Sequence, residues 1–236
     1  MKQELEHLYG LKLSAIDDEI GKVKDFYFDD QNWQIRYLVA DTGGWLSGRQ
    51  VLLSPDVFGT AALDDASGDA AHLRVNLTRQ QIEDSPAIET HRTVTRQYEE
   101  QYYSYYGWPN YWDGGMLGAA GFPAFTPEPL QEDHSHHGHN QRDDIHLRST
   151  QAITGYRVES ADGEMGKVHG FVVDGKTWAI SEVIIEPGQW RETPLLRVQA
   201  QRVARIDYES STVFLDVPKS KVTQAVGNEL LLTTHP

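Results

Sequence analysis

The 236-residue chain contains no cysteine. Disulfides, thiolate metal sites, iron–sulfur ligation and a cysteine nucleophile are therefore excluded. It also lacks a long hydrophobic run. The most apolar stretch, Met116 to Phe125, is interrupted by Gly118, Gly121 and Pro123. A membrane-spanning helix needs about 20 apolar residues, so no integral membrane segment is expected. Met1 to Gly10 carries no apolar core of a signal peptide, and the expectation is a soluble, cytoplasmic protein. No basic segment is present either. The net charge is −14, and residues 1–90 hold 16 acids against 8 bases. Residues 91–146 hold 8 acids against 3 bases, and residues 147–236 hold 11 against 10. Binding a phosphate backbone requires several lysines or arginines to release counterions. Adsorption to anionic lipid needs the same. Neither partner fits, and no nucleic acid is expected.

What is present is a repeat. Asp17-Asp18-Glu19-Ile20-Gly21-Lys22-Val23 aligns with Asp162-Gly163-Glu164-Met165-Gly166-Lys167-Val168 at an offset of 145 residues. The same offset relates Gly10 to Gly155, Phe26 to Phe171, Asp29 to Asp174, Trp33 to Trp178, Ile35 to Ile180 and Trp45 to Trp190. Further on, Leu73–Ile82 aligns with Val213–Val222 at an offset of 140. Solenoids repeat every 20–50 residues. An offset this long is a duplicated domain.

Each copy reads as β-structure. An apolar entry (Leu11, Leu13, Ile16; Ile153, Tyr156, Val158) leads to a turn at Asp17-Asp18 or Asp162-Gly163. Asp-Gly between apolar segments favours a hairpin, because glycine accepts positive φ. The segment Gly21 to Asp29 is rich in β-formers. After a second turn at Asp29–Asn32, the residues Trp33, Ile35, Tyr37 and Val39 alternate with Gln34, Arg36, Leu38 and Ala40. That period of two marks a strand with one face in a core. Glu182 stands where the first copy has Tyr37, so the two faces differ there. Further strands are expected at Gln50–Ser54 and Leu195–Val198, and at Leu73–Leu77 and Val213–Val217, the last pair followed by a short helical turn. Closely spaced short strands with turn signals point to a small barrel or sandwich. Gly21 and Gly166 read as glycines at a bulge or tight bend, since no phosphate-cradling loop surrounds them.

The run of Asp, Gly or Asp, Glu, Ile or Met, Gly, Lys, Val, then an aromatic strand, an Asp turn and Trp-x-Ile, resembles the PRC-barrel family. That family includes the cytoplasmic barrel of the photosynthetic reaction-centre H subunit and a domain of the ribosome-maturation factor RimM. Gln50 to Pro55 resembles the next strand of the family. Arg96 to Pro109 resembles the segment after the barrel in stand-alone bacterial members. The resemblance covers roughly residues 5–85 and 150–222. It implies a mainly β fold of two tandem small barrels with short helices and a partly helical, partly irregular linker. The expected boundaries are 1–90 for the first barrel, 91–146 for the linker and 147–236 for the second. It brings no catalytic residues and no cofactor. It also suggests a peripheral subunit of a photosynthetic or other electron-transfer membrane complex.

The linker holds six tyrosines and two tryptophans between Tyr98 and Trp112. Tyr98, Tyr102, Tyr105 and Tyr106 fall on one stripe of a helix spanning about residues 93–106. Gly107, Trp108 and Pro109 end it. Tyrosine and tryptophan offer large contact areas with few rotors to freeze. Tyr98, Tyr102, Tyr105, Tyr106, Trp108 and Trp112 are thus the candidate interaction residues, for a protein partner or for self-association as a homodimer. Stacking on single-stranded nucleic acid needs interleaved cations, whereas the neighbours here include Glu99 and Glu100. Further along, His134, His136, His137 and His139 form a tract that suits loose binding of zinc, nickel or copper. Its spacing matches no structural zinc site. The scattered His7, His72, His91, His169 and His235 have no recognisable catalytic partners. The expected function is a non-enzymatic scaffold or protein-interaction module, with metal or small-ligand binding through the histidine tract as the alternative. Gly21, Trp33, Trp45, Gly166, Trp178 and Trp190 carry the fold motif.

Overall fold

A computed structural model describes residues 2–46, 48–58, 72–85, 103–106, 146–188, 194–219 and 221–222. By its internal contacts the chain separates into two units, Met1–Thr90 with His146–Pro236, and His91–Ile145. In the second unit the described residues are Tyr103 to Tyr106, one helical turn.

The first unit is mainly β and holds two sheets. The first runs β5 (Gln50–Leu53), β4 (Gln34–Asp41), β3 (Glu19–Asp29), β2 (Lys12–Ser14) and β6 (His72–Arg74). The second runs β11 (Leu196–Gln199), β10 (Ile180–Pro187), β9 (Gly163–Asp174), β8 (Arg157–Ser160), β13 (Thr212–Leu215) and β12 (Val203–Asp207). The pairs β2–β6 and β8–β13 are parallel, and the others in each path are antiparallel. Short helix α1 (Arg79–Glu83) comes after β6, capped by Thr78, whose hydroxyl accepts from Gln81 N while the Gln81 side chain returns to Thr78 N. That reciprocal pair satisfies two amides that a helix start otherwise leaves open.

The expected mainly β fold is present as two sheets. Neither sheet closes on itself among the described residues. In the first, a 3-10 turn over Pro55–Val57 comes after β5. Pro55 lacks an N–H and fixes φ, so the chain bends before β5 can run along β6. The chain past the turn meets the residue after β6 at one bridge, Phe58 to Val75, with Asn76 N donating to Val57 O at 2.8 Å. In the second sheet the equivalent turn is Ala200–Arg202, and β12 continues from it onto β13. There Asp216 N donates to Arg202 O at 2.9 Å.

The sequence offset reappears in the backbone. Gly21 (φ 137°) and Gly166 (φ 146°) share a conformation that side chains rarely adopt. A Cβ on Gly21 would lie 2.1 Å from Asp41 O, and one on Gly166 would lie 2.0 Å from Glu186 O. Each glycine lets the neighbouring strand approach, as expected of a bulge position; pairing shifts occur nearby at Leu13/Ser14 and Val158/Glu159. Trp33 (φ 60°) and Trp178 (φ 57°) are both left-handed, a strained state for a bulky residue. The Asp29 and Asp174 turns hold them. Trp33 N donates to Asp29 O and Trp178 N to Asp174 O, both at 2.8 Å.

Two short strands cross between the halves. β1 (Lys2–Glu4) adds to β9 of the second sheet, and β7 (Leu147–Ser149) adds to β3 of the first. Lys2 pairs with Asp174 and Leu147 with Asp29, so the exchange is reciprocal at the same offset. Between the sheets Gln34 bridges Ala179, its own equivalent. Flanking this bridge, Ile35 N donates to Trp178 O at 2.9 Å and Ile180 N to Trp33 O at 2.7 Å. A contact in which i meets j and j meets i is that of a two-fold axis.

The core gathers at this axis. Phe28 stacks on Trp33 at 5.3 Å and meets Phe171 at 5.9 Å. Trp178 packs against Phe58 at 5.2 Å and Phe26 at 6.4 Å. All six rings are buried. Such pairs add about 0.5–1.5 kcal/mol each beyond the area they bury.

The expected alternation along β4 is broader than predicted. Tyr37, Leu38, Val39 and Ala40 are all buried, so both faces of the strand are covered. β5 is likewise buried over Val51–Leu53, whereas its counterpart β11 alternates between buried Leu196 and Val198 and exposed Arg197 and Gln199.

Candidate functional site

Two groups of polar side chains are built into the joint between the sheets. The first centres on Asp25, 8% exposed, at a register shift in β3. Its carboxylate accepts from Phe26 N (2.7 Å), Ser149 Oγ, Thr150 Oγ1 (3.0 Å) and Gln151 N (3.2 Å). The last three come from the end of β7 and the start of helix α2 (Thr150–Ile153). Burial pushes the Asp25 carboxyl above the usual aspartate range, against the pull of these donors. Tyr9 lies alongside, its hydroxyl 2.8 Å from Thr150 Oγ1, and burial likewise raises its phenol.

The second group centres on Asp30. Oδ1 accepts from His146 Nδ1 at 3.0 Å; Oδ2 accepts from Arg148 Nε at 3.1 Å and Tyr208 OH at 2.8 Å. The other imidazole nitrogen lies 3.0 Å from Gln31 Nε2. Those partners fit a tautomer protonated at Nδ1, with Nε2 accepting from the amide. The Arg148 guanidinium lies 3.7 Å from the centre of the Tyr208 ring. Burial and the bond to Asp30 push the Tyr208 phenol far up, because the phenolate would face a carboxylate. In both groups the polar atoms hold one half to the other.

A third feature is an open groove of about 420 Å³ lined by Glu19, Gly21, Lys22, Asp41, Thr42, Gly43 and Trp45. Trp45 is fixed at both ends. Its Nε1 donates to Ile20 O at 2.9 Å, and the Arg79 guanidinium lies 4.2 Å from its ring centre. Arg79 in turn pairs with Asp18, and its amide donates to Asp17 Oδ1 at 2.8 Å. Lys219 N donates to Asp162 Oδ1 at 2.7 Å in the second half. Asp17 and Asp162, read as turn residues, thus also tie the first hairpin of each half to the segment after its last strand.

The motif residues Gly21, Gly166, Trp33 and Trp178 lie at the strand approaches and at the two-fold contact. Trp45 lines the groove; Trp190 lies outside the described residues. Of the aromatic stripe, Tyr105 is 41% exposed and Tyr106 half-buried, their rings edge-to-face at 4.8 Å. Tyr103, which the stripe left out, is buried. Tyr98, Tyr102, Trp108 and Trp112 lie outside the described residues, as do His134, His136, His137 and His139. Among the described residues, no three His, Asp or Glu side chains group as metal ligands would. No helix there is long and apolar enough to cross a membrane.

Sequence reasoning missed Asp25, Asp30, His146, Arg148 and Tyr208. β3 carries Lys22 and Lys24 as well as Asp25, so charge alone does not single Asp25 out. Nothing local marks the others, whose partners lie more than 100 residues away.

Against known families, residues 5–76 match the PRC-barrel domain. The match runs from the turn after β1 to the residue after the Phe58–Val75 bridge. A comparison with curated proteins finds no match.

Proposed function

We propose that the chain is a non-enzymatic scaffold built on a duplicated PRC barrel, with the aromatic segment around Tyr98–Trp112 as its contact for a protein partner. The matched domain covers the first copy, and the offset of 145 supports reading residues 147–236 as the second. The reading places the protein in the cytoplasm. Its main support is the placement of the buried Asp25 and the half-buried Tyr9, Asp30 and Tyr208. Asp25, Asp30, Tyr9 and Tyr208 all bond across the joint between the halves, an arrangement that serves cohesion. Tyr105 meanwhile presents an exposed ring on a helical turn, and exposed tyrosine is typical of contact surfaces.

A pull-down from the native cell compares the wild type with the triple variant Tyr102→Ala/Tyr105→Ala/Trp108→Ala. The expected outcome is loss of the captured partner with the thermal transition of the sheets unchanged. The same captured proteins with both baits would refute the aromatic segment as the contact.

A further inference from the structure

The joint between the sheets has a two-fold backbone but one-sided chemistry. Its backbone elements are self-complementary: Gln34 opposite Ala179, two matching bonds beside them, and β1 exchanged for β7. A symmetric joint of this kind would also let a first half pair with another first half. We infer that the side chains at the joint form a pairing code, which makes the first half a fit for a second half and rejects its own like.

The code is read by exchanging equivalents. Asp25 takes two hydroxyls and an amide from Ser149, Thr150 and Gln151. The corresponding residues of a first half are Glu4, Leu5 and Glu6. A like pairing would set the buried Asp25 carboxylate among two more carboxylates with no hydroxyl donor. Asp30 takes Arg148 and His146, whose equivalents are Gln3 and Met1, so its guanidinium would be lost. In a second half, Gly170 and Gly175 replace Asp25 and Asp30. Two second halves would bring Ser149, Thr150 and Arg148 to positions with no carboxylate.

The opposite edge repeats the logic. Lys2 and Glu4 of β1 pair with Glu182 and Arg197 of the second sheet. The equivalents of Glu182 and Arg197 are Tyr37 and Leu52, both fully buried. Like pairing of first halves would press Lys2 and Glu4 onto that apolar pair. Like pairing of second halves would offer Leu147 and Ser149 to Glu182 and Arg197. Each wrong pairing leaves charges buried or unpaired, which is how specificity against near-identical partners is achieved.

The cysteine-free chain allows a direct test. Gln34→Cys and Ala179→Cys are introduced together, with a protease site between residues 113 and 131. Residues 34 and 179 face each other in a non-hydrogen-bonded antiparallel pair, where Cα atoms lie about 4.5 Å apart, within disulfide reach. The uncut chain should form the 34–179 disulfide. The cut two-fragment complex is then unfolded, refolded and oxidised, and the disulfide dimers are weighed by mass spectrometry. Random pairing gives like-with-like and unlike products in a 1:2:1 ratio. The expected result is an excess of 34–179 over 34–34 and 179–179 of about tenfold or more beyond that ratio, the effect of about 1.4 kcal/mol of discrimination. In the Asp25→Asn/Asp30→Asn background, which keeps the shape but removes the charges, the 34–34 product should rise. Statistical proportions in the parent, no re-pairing of the fragments, or an unchanged ratio in the double-Asn variant would each overturn the inference. The inference rests on treating the two sheets as equivalent copies. Failure of that premise shows as a missing 34–179 disulfide in the uncut chain, whereas failure of the code leaves that disulfide in place.

Discussion

Replacing Gly21 by alanine adds one carbon atom at a point where there is no room for it. The new Cβ would sit 2.1 Å from Asp41 O, and at φ 137° the backbone is one that alanine rarely adopts. Relief requires β3 and β4 to separate by roughly 1 Å near Lys22–Asp41, where the ladder is formed. The conformational strain costs about 1–3 kcal/mol. Weakening one or two ladder bonds costs about 1 kcal/mol each. The total, about 2–5 kcal/mol, is a large share of the 5–15 kcal/mol typical of a folded domain. With a urea slope of about 2 kcal/mol/M, the unfolding midpoint should fall by roughly 1–2.5 M. Gly43→Ala supplies the control. Gly43 also has positive φ (59°), but its Cβ would meet nothing within 4 Å, so its cost should stay near 1 kcal/mol. Gly166→Ala should match Gly21→Ala, since its Cβ meets Glu186 O at 2.0 Å. Equal midpoints for Gly21→Ala and Gly43→Ala would refute the close-approach argument.

Two further substitutions probe the joint. Asp25 has a carboxyl raised by burial, so the folded state holds its proton more tightly than the unfolded state. Its contribution to stability is therefore complete below the unfolded value near 3.8 and is lost as pH rises through the folded value. Asp25→Asn should remove this decline, and urea titrations of both proteins between pH 4 and 7 should show the variant gaining on the wild type as pH rises. A constant difference across that range would refute burial as the controlling term. Tyr208→Phe removes one donor to Asp30 but keeps the ring beside Arg148, and should cost about 1 kcal/mol in urea unfolding. Tyr208→Ala, which also removes the cation–π contact, should cost measurably more.

Much of the sheet framework was legible because it is local. Asp-Gly at 162–163 marks a turn, and period two marks β4. Gly21 and Gly166 were readable as tight-approach positions because both stand at the same place in a repeated motif. The alternation rule failed for β4 where Tyr37, Leu38, Val39 and Ala40 are buried on both faces, a condition that depends on what covers the strand. β1 and β7 were missed for a different reason. Lys2-Gln3-Glu4 and Leu147-Arg148-Ser149 are too short to show a period, and their partners lie about 170 and 120 residues away. The Asp30 group depended on the same long-range closure. Its carboxylate sits in an Asp-Asp-Gln-Asn run that reads as a solvent-facing turn until Arg148 and Tyr208 arrive. The aromatic stripe was read from helical spacing, yet the buried tyrosine among the described residues of that segment is Tyr103, which lies off the stripe.

The exchange of β1 for β7 also bears on the order in which the chain is made. Lys2 to Glu4 leave the ribosome well before the strand they pair with, which ends at Asp174. At about 5–20 residues per second, synthesis alone keeps β1 waiting for roughly 10–30 s. The first sheet waits as well, since β7, which completes β3, comes from residues 147–149. Neither half can finish folding while the other is absent, so a truncated product would leave a strand edge open to whatever is nearby. The two copies are separate in sequence, but they reach the native state together, after the ribosome has passed β9.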